Sequence, residues 1–181
     1  MNRPLITRAE LLTKLKQKGI DKQAPFIVGV RGYYKNDMGK RGANDRGIYD
    51  DAIFVIEKNL MFSFNANTDP SRYGMNSKIN KGLANLQEGE YLYKIGIHGL
   101  SKDKSKQYEA LVQQSTVEVK RDVTGQEEDG YFGINIHKGG FNSTSSEGCQ
   151  TIHPSQWQEF MDLVKAFFPS KKDISYILIE N

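Results

Sequence analysis

The sequence contains only one cysteine, Cys149, and no long hydrophobic run. A single thiol cannot form an internal disulfide, which excludes the disulfide-stapled scaffolds of oxidising compartments. The apolar runs are far shorter than the roughly 20 residues that a membrane-spanning helix needs, so no membrane insertion is expected. The sequence also lacks a basic run interleaved with aromatic residues, and we therefore expect no nucleic-acid partner.

Other absences narrow the class of protein further. The first residues, MNRPLITRAELL, lack the apolar core of roughly 7–15 residues found in a secretory signal peptide, so we expect synthesis in the cytoplasm without a signal peptide. One cysteine and three widely spaced histidines do not match structural zinc patterns. Neither a metal site nor another cofactor is therefore expected.

The 181 residues, of which 38% are hydrophobic and 26% charged, suffice for one domain with its own core. Short β-rich runs separated by turn residues fill the middle of the chain, and helical periodicity is found near each end. The sequence thus predicts a mainly β, α+β fold with peripheral helices. Its expected parts are an N-terminal helical segment (1–24), a β-rich core (25–152) and a C-terminal helix and strand (153–181).

Capping signals locate the two helices. Thr7 and Glu10 form a capping box, and Gly19 follows the last turn of the first helix. Ser155 and Gln158 offer a second capping box ahead of an apolar helical stripe. The final run, DISYILIE, predicts a strand that returns to the sheet.

Three further segments between the helices have recognisable patterns. Residues 52–66 predict a β-hairpin, because two apolar runs flank a Lys-Asn turn. Two long polar loops, 33–47 and 67–82, are either functional loops or disordered tips.

The stretch HKGGFNSTSSEGCQTIH places Cys149 between two of the three histidines. Alternation along YFGINIH puts His137 on the more polar face of a strand. The Gly- and Ser-rich loop that follows can bring Cys149 back beside that strand, and Gly148 permits a close backbone approach. An imidazole beside the thiol would make Cys149 a nucleophile, and the Gly148 and Cys149 N–H groups with Ser146 could surround an oxyanion.

Competing assignments of the thiol remain open. A caspase-type pairing would use His98, although the surrounding sequence differs from that class, and a papain-type order leaves only His153 downstream. Cys149 could also be a small buried hydrophobe without chemistry, or an exposed redox sensor.

The segments GINIHKGG and SSEGCQTI together resemble the catalytic motif of the L,D-transpeptidase (YkuD-like) family, in which a strand histidine precedes a Ser-x-Gly-Cys turn. The similarity covers roughly residues 131–152. It implies a β-sandwich or barrel-like catalytic domain that acts on peptidoglycan stem peptides through a thioester. It further implies Cys149 as the nucleophile, His137 as the base, and Ser146 and Gly148 in the turn that shapes the oxyanion site.

The family usually has a histidine before the Gly-Cys pair and an arginine soon after it, whereas this chain has Glu147 and Gln150-Thr151. Asn135 and Gln150 are therefore candidates for neutral hydrogen bonds to substrate. Arg31 or Arg72 is a candidate for the missing charge.

The main hypothesis is a cysteine peptidase or transpeptidase that acts in the periplasm or cell wall. Hydrolysis is favoured over transfer, as in a phage lysis protein or a secreted antibacterial protein. A delivery or immunity partner would then exist, which the sequence does not identify. The alternative is an inactive binding or structural module of a phage or secretion system on the same fold.

Overall fold

The computed structural model describes residues 2–74, 80–169 and 173–181, and its strands confirm the mainly β, α+β fold. In chain order the elements are α1 (Arg8–Gln17), β1 (Phe26–Arg31), β2 (Asp51–Glu57), β3 (Leu60–Asn67), β4 (Ala84–Leu86), β5 (Gly89–His98), β6 (Tyr108–Gln113), β7 (Val117–Arg121), β8 (Glu127–Gly130), β9 (Ile136–Lys138), β10 (Gln150–Ile152), α2 (Trp157–Phe167) and β11 (Ile174–Glu180). None of the helices in these residues is long and apolar enough to cross a bilayer.

Most of the strands close into a barrel in the order β1-β11-β5-β6-β9-β10-β3-β2. Strands β4, β7 and β8 form a small separate sheet. The neighbours in the barrel are antiparallel except for two parallel pairs, β1 with β11 and β9 with β10. One apolar cluster joins the barrel strands to α2, and a second joins α1 to β1, β2 and β11.

The first helix follows its sequence signals. The Thr7 side chain accepts from the Glu10 N–H, and the Glu10 carboxylate accepts from the Thr7 N–H at 2.8 Å, which confirms the capping box. Gly19 follows the helix with a φ of +77°, a conformation that costs glycine little. Leu11 and Leu15 are buried, and their contacts fix α1 against the outer side of the barrel.

The predicted start of the second helix is wrong. A 3₁₀ turn, Pro154–Gln156, precedes α2, and the His153 imidazole caps this turn by accepting from the Ser155 N–H at 3.3 Å. Proline suits the first position of such a turn because its missing N–H would have no partner there. The α-helix therefore begins at Trp157, between the two residues of the predicted capping box, and its N-cap is Gln156.

The hairpin over residues 52–66 is confirmed, since β2 and β3 pair along their whole length around a tight turn. The apolar face of β3 is buried only in its second half, because Leu60 is 52% exposed whereas Phe64 and Ala66 are fully buried. Asn65 on the opposite face is buried as well, and its N–H donates to Gln156 Oε1 at 2.8 Å. The segment before α2 therefore covers this end of β3.

The pairing of β9 with β10 positions the cysteine. Gln150 lies opposite Ile136 and Thr151 opposite His137 in this parallel pair. Continuing the register places Cys149 beside Asn135, so the loop does return the thiol to its own strand. Because side chains alternate, Cys149 and His137 project to the same side of the two strands, whereas Gln150 projects into the barrel.

Candidate active site

A pocket of about 520 Å³ lies at the ends of β5 and β9 and at the turn before β10. We call it the cysteine pocket. Four of the predicted site residues line it: Cys149, His137, Ser146 and Arg72. The structure adds Ser143, Ser145 and Glu147 from the loop before Cys149, and Ser71, His98 and Lys102 from segments distant in sequence.

The Cys149 thiol is held by backbone groups of the strand beside it. Its sulfur accepts from the Asn135 N–H at 3.4 Å and donates to the Gly133 carbonyl at 3.3 Å. Burial raises the pKa of the thiol to about 11, against smaller lowering effects of the Asn135 N–H and the Lys102 charge. Within the described residues no hydrogen bond joins the sulfur to His137. In its resting state Cys149 is therefore a neutral thiol.

This state predicts the pH dependence of alkylation. With a pKa of about 11, only about one thiol in 10⁴ is ionised at pH 7. Iodoacetamide should therefore label folded protein slowly at pH 7, at a rate that rises about tenfold per pH unit up to about pH 10. Urea-unfolded protein is the control, because its thiol titrates near the ordinary value of 9.0. A rate that levels off below about pH 8 in wild type but not in His137→Ala would instead reveal a thiolate–imidazolium pair.

His137 forms hydrogen bonds through Nδ1, whereas its Nε2 has no hydrogen-bond partner among the described residues. Its Nδ1 lies 2.9 Å from the Lys138 carbonyl and 3.3 Å from the Tyr108 hydroxyl. Because a carbonyl can only accept, Nδ1 carries the proton, and the lone pair of the neutral ring is on Nε2. Burial, and next the neighbouring His98, lower the pKa of His137 to about 4. Above about pH 5 the ring is therefore neutral, in the tautomer that a general base requires.

His98, which the sequence suggested only as the base of a caspase-type pairing, lies against His137 in the structure. Its ring stacks on the His137 ring with centroids 4.1 Å apart and planes 19° apart. The Asn135 amide donates to His98 Nδ1 at 3.2 Å, and the amide oxygen accepts from the Gln113 N–H at 3.1 Å. Asn135 therefore orients His98, and its predicted contact with substrate stays a prediction. The sequence does not predict this contact, because only the barrel brings β5 close to β9.

Ser146 and Gly148 shape the turn ahead of the nucleophile. The Ser146 hydroxyl donates to the Cys149 carbonyl at 2.6 Å and accepts from the Gly148 N–H at 3.0 Å. The predicted oxyanion donors Ser146 and Gly148 are thus engaged within the turn. The Cys149 N–H has no acceptor among the described residues, and it is the remaining candidate donor to an oxyanion.

Gly148 admits no side chain. Its φ is +150°, and a Cβ would lie 2.7 Å from the Ala84 carbonyl oxygen and 2.8 Å from Ile134 Cδ1. We expect Gly148→Ala to lower the free energy of unfolding by about 2–5 kcal/mol, from backbone strain plus overpacking. Urea denaturation measures this loss.

Gly125→Ala is the matched control for Gly148→Ala. Gly125 has a φ of +70°, but nothing lies within 4 Å of its added Cβ. It should therefore lose only the backbone part, about 1–3 kcal/mol. Equal stabilities of the two variants would show that the turn relaxes around the new methyl group.

Arg31 and Gln150, two of the predicted substrate-binding residues, lie away from the cysteine pocket. Arg31 is buried and pairs with Asp69 at 3.2 Å. Gln150 is fully buried, and its Oε1 accepts from the Tyr176 hydroxyl at 3.1 Å. Both side chains serve the fold, which corrects their predicted place at the substrate. Their polarity suggested a binding role, whereas the barrel buries both of them.

Arg72 does reach the rim of the cysteine pocket, where it pairs with Glu147 at 3.2 Å. Both side chains are largely exposed, so this pair contributes little to stability. Arg72 comes from the polar loop 67–82, of which residues 75–79 lie outside the described part of the chain. In the residues that are described, no group of three or more His, Cys, Asp or Glu side chains is arranged to hold a metal ion.

No family model, no curated protein and no solved structure matches this chain. The resemblance of residues 131–152 to a transpeptidase motif therefore depends on those residues alone, and the chemistry must be argued from the geometry of the cysteine pocket.

Proposed function

We propose that this protein is a cysteine-dependent peptidase or transpeptidase that acts on the stem peptides of peptidoglycan through a Cys149 thioester. One observation carries the proposal: His137 donates from Nδ1 to a backbone carbonyl, which leaves Nε2 basic in the pocket that also holds the only thiol of the chain. The peptidoglycan substrate comes from the motif resemblance. The geometry supports the reaction type.

His137 and Cys149 are diagonal neighbours across the parallel β9–β10 pair, and both side chains line the cysteine pocket. We propose that substrate binding brings the sulfur and the imidazole into hydrogen-bond contact. Catalytic hydrogen bonds are often long in the free enzyme and tighten in the complex. The neutral thiol and neutral imidazole are then the starting pair, and proton transfer accompanies attack.

The reaction balances with these two side chains. The Cys149 sulfur attacks the carbonyl carbon of a stem-peptide bond, and its proton moves to His137 Nε2. As the tetrahedral intermediate collapses, the C–N bond breaks and His137 returns the proton to the leaving amine. A thioester remains on Cys149. Water, or the amine of a second stem, then attacks the thioester carbonyl while His137 accepts the attacking group's proton. The C–S bond breaks as this second intermediate collapses, His137 returns the proton to the Cys149 sulfur, and the carboxylic acid or the new amide leaves.

The rim of the cysteine pocket favours water as the second reactant. Arg72, Glu147 and Ser145 are exposed there, so solvent reaches the thioester. Charged rim groups also suit a stem peptide, which carries both carboxylates and amines. We therefore propose hydrolysis ahead of transfer.

The test uses purified sacculi and soluble stem peptides as substrates. Muropeptide analysis by mass spectrometry should show new stem-peptide ends, and intact-protein mass spectrometry after rapid acid quenching should show an acyl adduct on Cys149. An added amine acceptor distinguishes transfer from hydrolysis by the mass of the product. The absence of both new ends and adduct would refute the enzymatic proposal.

The second candidate is a binding module without catalysis. It is favoured by the raised pKa of Cys149 and by the lack of a sulfur–imidazole hydrogen bond among the described residues. If the protein is such a module, wild type and Cys149→Ala should bind stem peptides with equal affinity, and neither should release product.

A further inference from the structure

A second pocket, of about 480 Å³, is bordered by the same loop that connects His137 to Cys149. We call it the aromatic pocket. One wall comes from the polar loop 33–47 and the residues directly after it. The other comes from the loop between His137 and Cys149, which we call the catalytic loop, and from His153. The side chains that line the pocket include Met38, Ile48, Tyr49, Phe141, Asn142 and His153. Ser143 lines both this pocket and the cysteine pocket, so the two are neighbours.

Tyr49, Phe141 and His153 form an aromatic cluster, in which the Phe141 ring is largely exposed to solvent. The His153 ring lies edge-on to Tyr49 at 4.9 Å and to Phe141 at 5.8 Å between centroids. The Tyr49 hydroxyl donates to the Gly140 carbonyl at 2.6 Å, which fastens the catalytic loop. Phe141, next in the chain, is nevertheless 77% exposed. A pocket lined mainly by aromatic and apolar side chains, with a few polar groups, is the usual form of a small-ligand site.

The two pockets differ in charge. Arg72, Lys102 and Glu147 line the cysteine pocket, whereas among the residues that the structure describes no Asp, Glu, Lys or Arg lines the aromatic pocket. Burial lowers the pKa of His153, so its ring is uncharged at neutral pH. The occupant that matches these walls is uncharged, has apolar faces for the aromatic rings, and carries a few groups that hydrogen-bond to Asn142 and Ser143.

We propose that the aromatic pocket is a subsite for an N-acetylated sugar of the glycan strand, whose attached stem peptide enters the cysteine pocket. A sugar ring has apolar C–H faces, hydroxyls and a neutral acetamido group, whereas stem-peptide residues carry charges. Sugar and stem are covalently linked in peptidoglycan, which suits two pockets that are neighbours at Ser143. This inference rests on the proposed function, because that function supplies the polymer.

The first test is direct binding of a neutral probe, chitotriose, monitored by heteronuclear NMR or calorimetry. Wild type and Cys149→Ala should bind it equally, since sugar binding needs no thiol. Phe141→Ala should bind about tenfold more weakly, because it removes the exposed ring. Tyr131→Ala is the matched control: Tyr131 is 69% exposed but lines neither pocket, and its loss should leave affinity unchanged.

The second test compares two substrates, a free stem peptide and the same peptide on its disaccharide. Phe141→Ala should raise KM about tenfold for the glycan-linked substrate only. Equal effects on both substrates, or no chitotriose binding by wild type, would overturn the subsite. Failure of the proposed function would look different, with no turnover of the free stem peptide by wild type whatever the sugar result.

Discussion

Replacing Cys149 by alanine should abolish cleavage of stem peptides, with a fall in kcat of about 10³-fold or more. The thiol is the only one in the chain, and the mechanism has no other group that can carry the acyl intermediate. The substitution removes only Sγ and its two weak hydrogen bonds with Asn135 and Gly133. We therefore expect a cost of at most about 1 kcal/mol in stability. Release of muropeptides from sacculi measures the loss.

The Cys149→Ser variant tests whether activity needs the nucleophilicity of the sulfur or only a side chain of similar shape. The hydroxyl can replace the sulfur in its hydrogen bonds, yet it is a poorer nucleophile, so the variant should fold normally and remain inactive. The acyl adduct seen with wild type should be absent from both variants. A Cys149→Ala protein that still degrades sacculi at the wild-type rate would eliminate the thioester mechanism.

Replacing His137 by alanine should lower kcat about 10²–10⁴-fold, the usual contribution of a general base. The backbone carbonyl of Lys138 orients the His137 ring by accepting its Nδ1–H. Lys138→Ala keeps this carbonyl and should therefore retain activity. Because the resting thiol is neutral, His137→Ala should leave iodoacetamide labelling almost unchanged while it removes turnover. Unchanged labelling together with lost turnover would identify His137 as a base that acts only while the thiol attacks the substrate.

The acid limb of the wild-type pH–rate profile also tests the role of His137. Only neutral His137 can accept the proton, and its pKa is lowered from 6.5 to about 4. Turnover should therefore persist down to about pH 5 and fall as pH decreases through about 4. Between the unfolded pKa of 6.5 and the folded pKa of about 4, His137 binds more protons in the unfolded chain than in the folded one. The free energy of unfolding therefore also falls as the pH decreases through this range. Circular dichroism at each pH separates unfolding from protonation, and a limb near 6.5 in folded protein would contradict a buried base.

Local signals in the sequence predicted much of the fold. The capping box of Thr7 and Glu10 and the hairpin over residues 52–66 each depend on side chains a few positions apart. The C-terminal strand was equally clear, since a short apolar run followed a helix ended by proline. By contrast, the start of α2 was misplaced, because Pro154 and His153 formed a 3₁₀ turn that competes with the apparent capping box.

Long-range packing explains the errors at the site. Gln150 was assigned to substrate from its position after the cysteine, yet the barrel turns its side chain inward to Tyr176. Arg31 was assigned from its charge, yet it is buried with Asp69. His98 lacked a local signal, since its contact with His137 requires β5, β6 and β9 to be neighbours in one sheet.

The sequence by itself determined a single thiol preceded by a strand histidine and a glycine-rich loop, and hence the candidate nucleophile and base. Those features lie within 13 residues of each other, so chain connectivity alone keeps them together. Only the tertiary structure decided the protonation states, the tautomer of His137 and the stacking of His98. Each of these depends on burial and on partners from distant strands, which barrel closure brings together and which local sequence does not encode.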